Sequence, residues 1–153
     1  MTLYSILDRQ ARSWWYHRQL RDEGNEREAR KRERRSIRST LDSLRQALDN
    51  DGALTIGRYG ATLHYSEGGR VQGLHRGTIE AARHLGIPII DSRTVPDERL
   101  VDYAYQTPMY RPGATDPDGD PGPFDYVSLP TYVRIARSYG ATIENWNEEA
   151  RTT

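Results

Sequence analysis

Ile37-Arg38-Ser39-Thr40-Leu41-Asp42-Ser43-Leu44-Arg45-Gln46-Ala47-Leu48-Asp49-Asn50-Asp51-Gly52 is the stretch that decides how this chain folds. Ile37, Leu41, Leu44 and Leu48 recur at spacings of four, three and four, which sets them along one helical stripe. Asn50-Asp51-Gly52 ends the helix, with Gly52 as the residue free to turn left-handed after the last turn.

Upstream lies a second, weaker stripe made of Leu3 or Tyr4, Leu7, Ala11 and Trp14. Between the stripes, from Arg21 to Arg35, alanine is the only apolar residue. Glu23–Arg27, Glu26–Arg30 and Glu28–Arg32 are pairs four apart with the acid first, each worth about 0.2–0.5 kcal/mol. Such pairs support a helix that has nothing to pack against. Gly24-Asn25 is its weak point. An unbroken helix of about 48 residues would span roughly 70 Å, whereas a break would give an antiparallel hairpin. The continuous or kinked form is preferred here. Residues 1–50 are therefore read as a helical arm and 51–153 as the body.

The bulk composition limits that body. Of 153 residues, 35 % are hydrophobic, and mean hydropathy is −0.87. Setting the arm aside leaves about a hundred residues to build a core, and a core that small favours assembly with a partner or with further copies. Net charge is zero, so no global field steers the chain to nucleic acid, and such binding would need local patches. There are no cysteines, which excludes disulfides, thiolate metal sites and cysteine nucleophiles. No stretch reads as a signal peptide or a transmembrane span, so the expected compartment is the cytoplasm. Lys31 is the only lysine beside twenty-one arginines. That skew points to GC-rich coding in a bacterium, phage or plasmid.

After Gly52 the periodicity changes from helical to alternating. Residues 53–57, 61–66 and 70–74 read as strands, with Leu54 and Ile56, then Leu63 and Tyr65, each on one face. Residues 77–85 read as a helix stopped by Gly86, followed by a short strand over 87–91. Pro96 opens a helix over 97–105. Residues 106–125 hold five prolines and three glycines and are expected to be irregular. Ser128 is placed to cap a helix over 129–139, and a last strand follows over 141–146. Ala82-Arg83-His84-Leu85-Gly86 is echoed by Ala136-Arg137-Ser138-Tyr139-Gly140, each followed by a strand. The expected fold is thus α+β, a small antiparallel or mixed sheet with two helix–strand units and a long N-terminal helix or helical hairpin.

Several groupings bear on chemistry. Arg30-Lys31-Arg32-Glu33-Arg34-Arg35, with Arg27 one turn before, is the densest positive run. Guanidinium forks bind phosphate bidentately, although such runs often form only a solvated face. Trp14-Trp15-Tyr16 occupies consecutive helix positions about 100° apart, so all three cannot enter one core and at least one is expected to meet a partner. Residues 78–87 have the flavour of the first helix of a DNA-reading helix-turn-helix, but Pro88 and Pro96 leave little room for the second, and an ordinary helix–strand corner is the preferred reading. Asp116, Asp118 and Asp120 alternate as calcium ligands do, yet Pro121 and Val127 stand where such a loop needs glycine and glutamate. Tyr103, Tyr105, Tyr110 and Tyr126 surround the same loop and could line a binding surface or cover the sheet.

These features favour a non-enzymatic binding protein, an accessory subunit or inhibitor carried by a phage or mobile element. Trp14, Trp15, Tyr16, Arg27, Arg30, Lys31, Arg32, Arg34 and Arg35 would dock it onto a larger, nucleic-acid-handling assembly. No cofactor or metal is called for. Two alternatives remain: a homo-oligomer joined through Ile37, Leu41, Leu44 and Leu48, and a small metal-independent ribonuclease using His64 and His75, with Glu80, as acid and base.

Overall fold

The computed structural model describes residues 2–11 and 26–148. Its centre is a mixed five-stranded sheet formed by β1 (Ala53–Gly57), β2 (Gly60–Ser66), β3 (Gly69–Gln72), β4 (Ile89–Asp91) and β7 (Thr142–Glu144). The strand order is β3-β2-β1-β4-β7, and only the β1–β4 pairing is parallel. Among the described residues five α-helices accompany it: α1 (Leu3–Ala11), α2 (Glu26–Asp49), α3 (Arg76–Leu85), α4 (Asp97–Gln106) and α5 (Leu129–Ser138). A small parallel ribbon pairs β5 (Met109–Tyr110) with β6 (Tyr126–Val127). The fold is α+β.

Strand alternation sends successive side chains to opposite faces, and each face has its own core. Leu54, Ile56, Leu63 and Ile89 point to one side, where α1, α2 and α3 supply Leu7, Ile37, Leu44 and Ala82. Ala53 and Ile90 point to the other, against Val95, Leu129, Val133 and Ala136. The lead segment therefore shares a core with the sheet.

Ile37 and Leu44 are 3 % and 0 % exposed, Leu41 is partly buried, and Leu48 is 44 % exposed. The stripe is used inside the chain, each fully buried aliphatic contributing about 1.5–3 kcal/mol. Ile37 and Leu44 are accordingly not free to pair between copies. Among the described side chains of α1 the buried ones are Ile6 and Leu7, with Leu3 partly buried against the core and Tyr4 outside. The stripe is thus rotated toward Ile6 relative to the spacing from Tyr4, because α1 packs against both α2 and α3.

The end of α2 departs from the sequence expectation. Asp51, with φ 54°, takes the left-handed position, and Gly52 donates its N–H to the Ala47 carbonyl at 2.7 Å. Gly52 is required for space instead. A Cβ there would lie 2.4 Å from the His64 carbonyl oxygen and 2.6 Å from Ala47 Cα.

The two helix–strand units end their helices alike. Ile87 N–H bonds to the Ala82 carbonyl at 3.0 Å and Ala141 N–H to the Ala136 carbonyl at 3.1 Å, around the left-handed Gly86 and Gly140. This paired geometry returns each chain end to the sheet. Asn145 ties the units together, its amide donating at 3.1 Å to both the Arg83 and Ile87 carbonyls. The residues expected to begin a helix-turn-helix therefore form a helix–strand corner.

The Pro/Gly-rich segment carries the two short ribbon strands at its ends and is fixed by Asp116. One carboxylate oxygen accepts from the Ser128 N–H at 2.8 Å, the other from the Thr131 and Ser128 hydroxyls at 2.7 and 3.0 Å. Burial works against ionised Asp116, but these bonds, with Arg134 nearby, outweigh it and hold its acidity below the ordinary carboxylate range. Asp116, rather than the side chain of Ser128, thus caps the start of α5.

Gly52→Ala should destabilise the protein by about 1–3 kcal/mol through overpacking against backbone, whereas Asp51→Gly should be tolerated; urea unfolding of both variants checks the contrast. Asp116→Ala should cost about 1–2 kcal/mol in the same assay, the range for a lost helix cap.

Candidate functional site

The outer halves of the sheet's two faces are covered unequally. On the α4–α5 side the helical cover lies over Ile90 and Ile143, while the β2–β3 half carries polar residues. His64 is paired in register with Ala53 on one side and Arg70 on the other. A register shift between His64 and Ser66 marks a β-bulge here, a device that often re-aims side chains beside a site. Thr55, His64, Ser66 and Arg70 form the floor of a cleft of about 490 Å³. Its walls are Tyr103 and Thr107 at the end of α4, Tyr110, Arg111 and Tyr126 around the ribbon, and Tyr132 of α5.

These side chains hold one another. His64 Nε2 lies 3.1 Å from the Thr55 hydroxyl, and its ring meets Tyr110 edge-on with centroids 5.3 Å apart. Tyr110 also packs on Tyr132 and donates its hydroxyl to the Asp51 carbonyl. The Tyr103 and Tyr132 hydroxyls are 3.3 Å apart. The Arg111 guanidinium sits 4.1 Å from the centre of the Tyr126 ring. Burial, reinforced by the Arg70 charge, lowers the His64 pKa to about 4, so its ring is neutral at physiological pH. Burial likewise raises Tyr103 and Tyr132 above the normal phenol range, keeping both protonated. Among the described residues the cleft therefore presents neutral hydrogen-bonding groups and two cations, with no carboxylate in its lining.

The residues singled out by sequence fall elsewhere. Trp14, Trp15 and Tyr16 lie outside the described residues, as does the Gly24-Asn25 joint. Arg27, Lys31, Arg32, Arg34 and Arg35 are exposed on α2 and Arg30 is half-buried, on the side of the sheet away from the cleft. Glu33, counted in sequence as part of the charged surface, is only 5 % exposed, because the inward stripe of α2 continues through its position. His64 and His75 are not brought together: His64 faces the cleft, while His75 precedes α3 on the other side. Glu80 pairs with Arg9 of α1 at 3.8 Å, so no His64–His75–Glu80 acid/base set is assembled. Asp116 is occupied as a helix cap, and among the described residues no group of His, Asp or Glu is arranged to hold a metal ion. Of the four tyrosines noted around the loop, Tyr103, Tyr110 and Tyr126 line the cleft and Tyr105 does not.

His64 as a cleft residue was signalled only by alternation in β2, where it falls opposite Leu63 and Tyr65. Tyr132 gave no signal of its own. No family model, curated protein or solved structure matches the chain.

The lowered His64 pKa has a definite sign. Because the folded value lies below the unfolded 6.5, the folded state resists protonation. Its contribution is complete above pH 6.5 and is lost as pH falls toward 4. Proton NMR should show the His64 ring signals moving only near pH 4. A midpoint near 6.5 would mean that the ring is solvated.

Proposed function

We propose that the protein is a non-enzymatic binding protein that engages the phosphate backbone of a nucleic-acid-containing assembly through the outward face of α2. The observation that carries this reading is the sorting of charge on that helix. Arg27, Lys31, Arg34, Arg35 and Arg38 are all exposed. Their helical spacing sets Arg27, Lys31, Arg34 and Arg38 in one exposed row that flanks the buried line of Ile37 and Leu44, with Arg35 opposite that line, while Glu33 is turned inward and removed from the surface. Among the described residues Lys31 has a loose neighbour in Glu28, at 3.8 Å. From Arg27 to Arg38 the row covers about 16 Å at 1.5 Å per residue, enough to span several phosphates.

Anchoring supports the same reading. The inward line of Glu33, Ile37 and Leu44 packs the helix onto the body, so the cations are carried on a packed helix rather than a tail, which lowers the ordering cost of binding. Trp14, Trp15 and Tyr16 would extend the contact with stacking surfaces. No helix among the described residues is long and apolar enough to cross a membrane. A cytoplasmic, phage- or plasmid-encoded accessory role fits the arginine-rich composition.

Fluorescence anisotropy with a labelled duplex tests this directly. Contact with about five phosphates should give a slope of log K against log salt near −4.5, and Arg27→Gln, Arg34→Gln and Arg35→Gln together should remove about 2.7 of that slope. Absence of duplex binding at low salt, or a slope untouched by the triple substitution, would overturn the assignment.

A further inference from the structure

The tyrosine-lined cleft lies on the opposite side of the sheet from the cationic face of α2, and its composition calls for its own ligand. We propose that it is a binding site for a phosphorylated nucleoside, with the base stacked at the Tyr126 end and the phosphate held by Arg111 and Arg70.

Four observations converge. First, a volume of about 490 Å³ lies within the range of small-molecule sites, roughly 300–1,000 Å³. Secondly, the lining is selective in charge: among the described residues it holds two guanidinium groups and no carboxylate, which suits an anion and repels a cation. Glu67 approaches Arg111 only at 3.7 Å and is mostly exposed, so it is a weak competitor for that charge.

Thirdly, the aromatic surface is placed for a planar ring. Arg111 covers one face of Tyr126, and the tyrosine is still 42 % exposed at the cleft mouth, beside the equally exposed Met109 paired with it in register. A base stacked there would extend an arginine–tyrosine stack already formed. Fourthly, the Thr107 hydroxyl oxygen and Arg111 Nε are buried with no hydrogen-bond partner among the described residues, and Thr107 is only 8 % exposed. Buried polar atoms are rarely left so, and both belong to residues of the cleft wall. A small rotation of either side chain toward the cleft would let ribose hydroxyls and phosphate oxygens supply the missing partners. Ser66 adds a hydroxyl at the floor, and neutral His64, its Nε2 already engaged with the Thr55 hydroxyl, adds a polar ring edge without adding charge.

The same chemistry could arrive as a free mononucleotide or as the phosphorylated end of a single strand. NMR titration of the full chain separates the two, using AMP, adenosine, inorganic phosphate and a 5′-phosphorylated oligonucleotide as probes. AMP should shift the signals of Thr55, His64 and Tyr132 with a millimolar or tighter Kd, and adenosine or phosphate alone should bind at least about tenfold more weakly. Preference for the oligonucleotide over AMP, read at these cleft signals, retained in the α2 triple variant and lost without the 5′-phosphate, identifies a strand end as the source and upholds the site. Arg111→Gln should reduce affinity by about tenfold or more, with Arg111→Lys intermediate because a point charge replaces a planar fork. A thermal melt establishes that each variant folds, and Tyr126→Ala gives an independent check of the stack.

The triple substitution on α2 should leave AMP binding unchanged, so failure of the phosphate-backbone reading does not decide this one. No AMP-dependent shift at the cleft, equal binding of phosphate alone, or AMP affinity unaffected in both folded Arg111→Gln and Tyr126→Ala would overturn the proposal.

Discussion

Burial of Ile37, Leu44 and Ala47 of α2 against Leu54 and Leu63 of the sheet is the contact on which the rest of the structure depends. A sheet only five strands wide, built from strands of three to seven residues, exposes too much apolar surface to stand alone. One face is closed by α1, α2 and α3. That closure fixes the end of α2 so closely against β2 that only glycine fits at position 52. It also determines which residues of β1 and β2 are left to face the other way.

On that other side, α4 and α5 cover the part of the sheet centred on β4 and β7, where Ile90 and Ile143 stand opposite each other. The remaining part, under His64 and Arg70, is walled by the ribbon and by tyrosines at the edges of α4 and α5 rather than covered by a helix. A cleft results from this mismatch between a five-stranded sheet and a two-helix cover. Asp116 matters to it indirectly. By capping α5 from within the Pro/Gly-rich segment, it holds that segment against the helix that presents Tyr132.

The two candidate surfaces follow from the same layered arrangement and differ in character. The α2 face is convex, cationic and solvated, a geometry suited to a long polyanion held by many weak contacts. The cleft is concave, mostly neutral and aromatic, with charge only at Arg70 and Arg111, a geometry suited to one small group held by few directed contacts. Their separation by the sheet allows each to be occupied without competing for residues.

Much of the secondary structure was legible from residue order alone, because helical and strand periods, helix-stopping glycines and Pro96 act locally. Ile37, Leu41 and Leu44 declared an inward face, and the echo between Ala82–Gly86 and Ala136–Gly140 proved to be two helix ends closed by the same hydrogen bonds. What periodicity could not decide was what each face would meet. The polar alternates of β2 look like solvent-facing residues until α4, α5 and the ribbon are in place. Glu33 looks like one more surface charge until α2 is laid on the sheet, and Asp116 like a calcium ligand until the start of α5 comes within hydrogen-bond reach. Local sequence determines which side of an element is apolar, since that depends on a few neighbouring residues. Only the tertiary arrangement decides which polar side chains are gathered into a cleft, since that depends on groups up to seventy-seven positions apart, from Thr55 to Tyr132, being packed across one sheet.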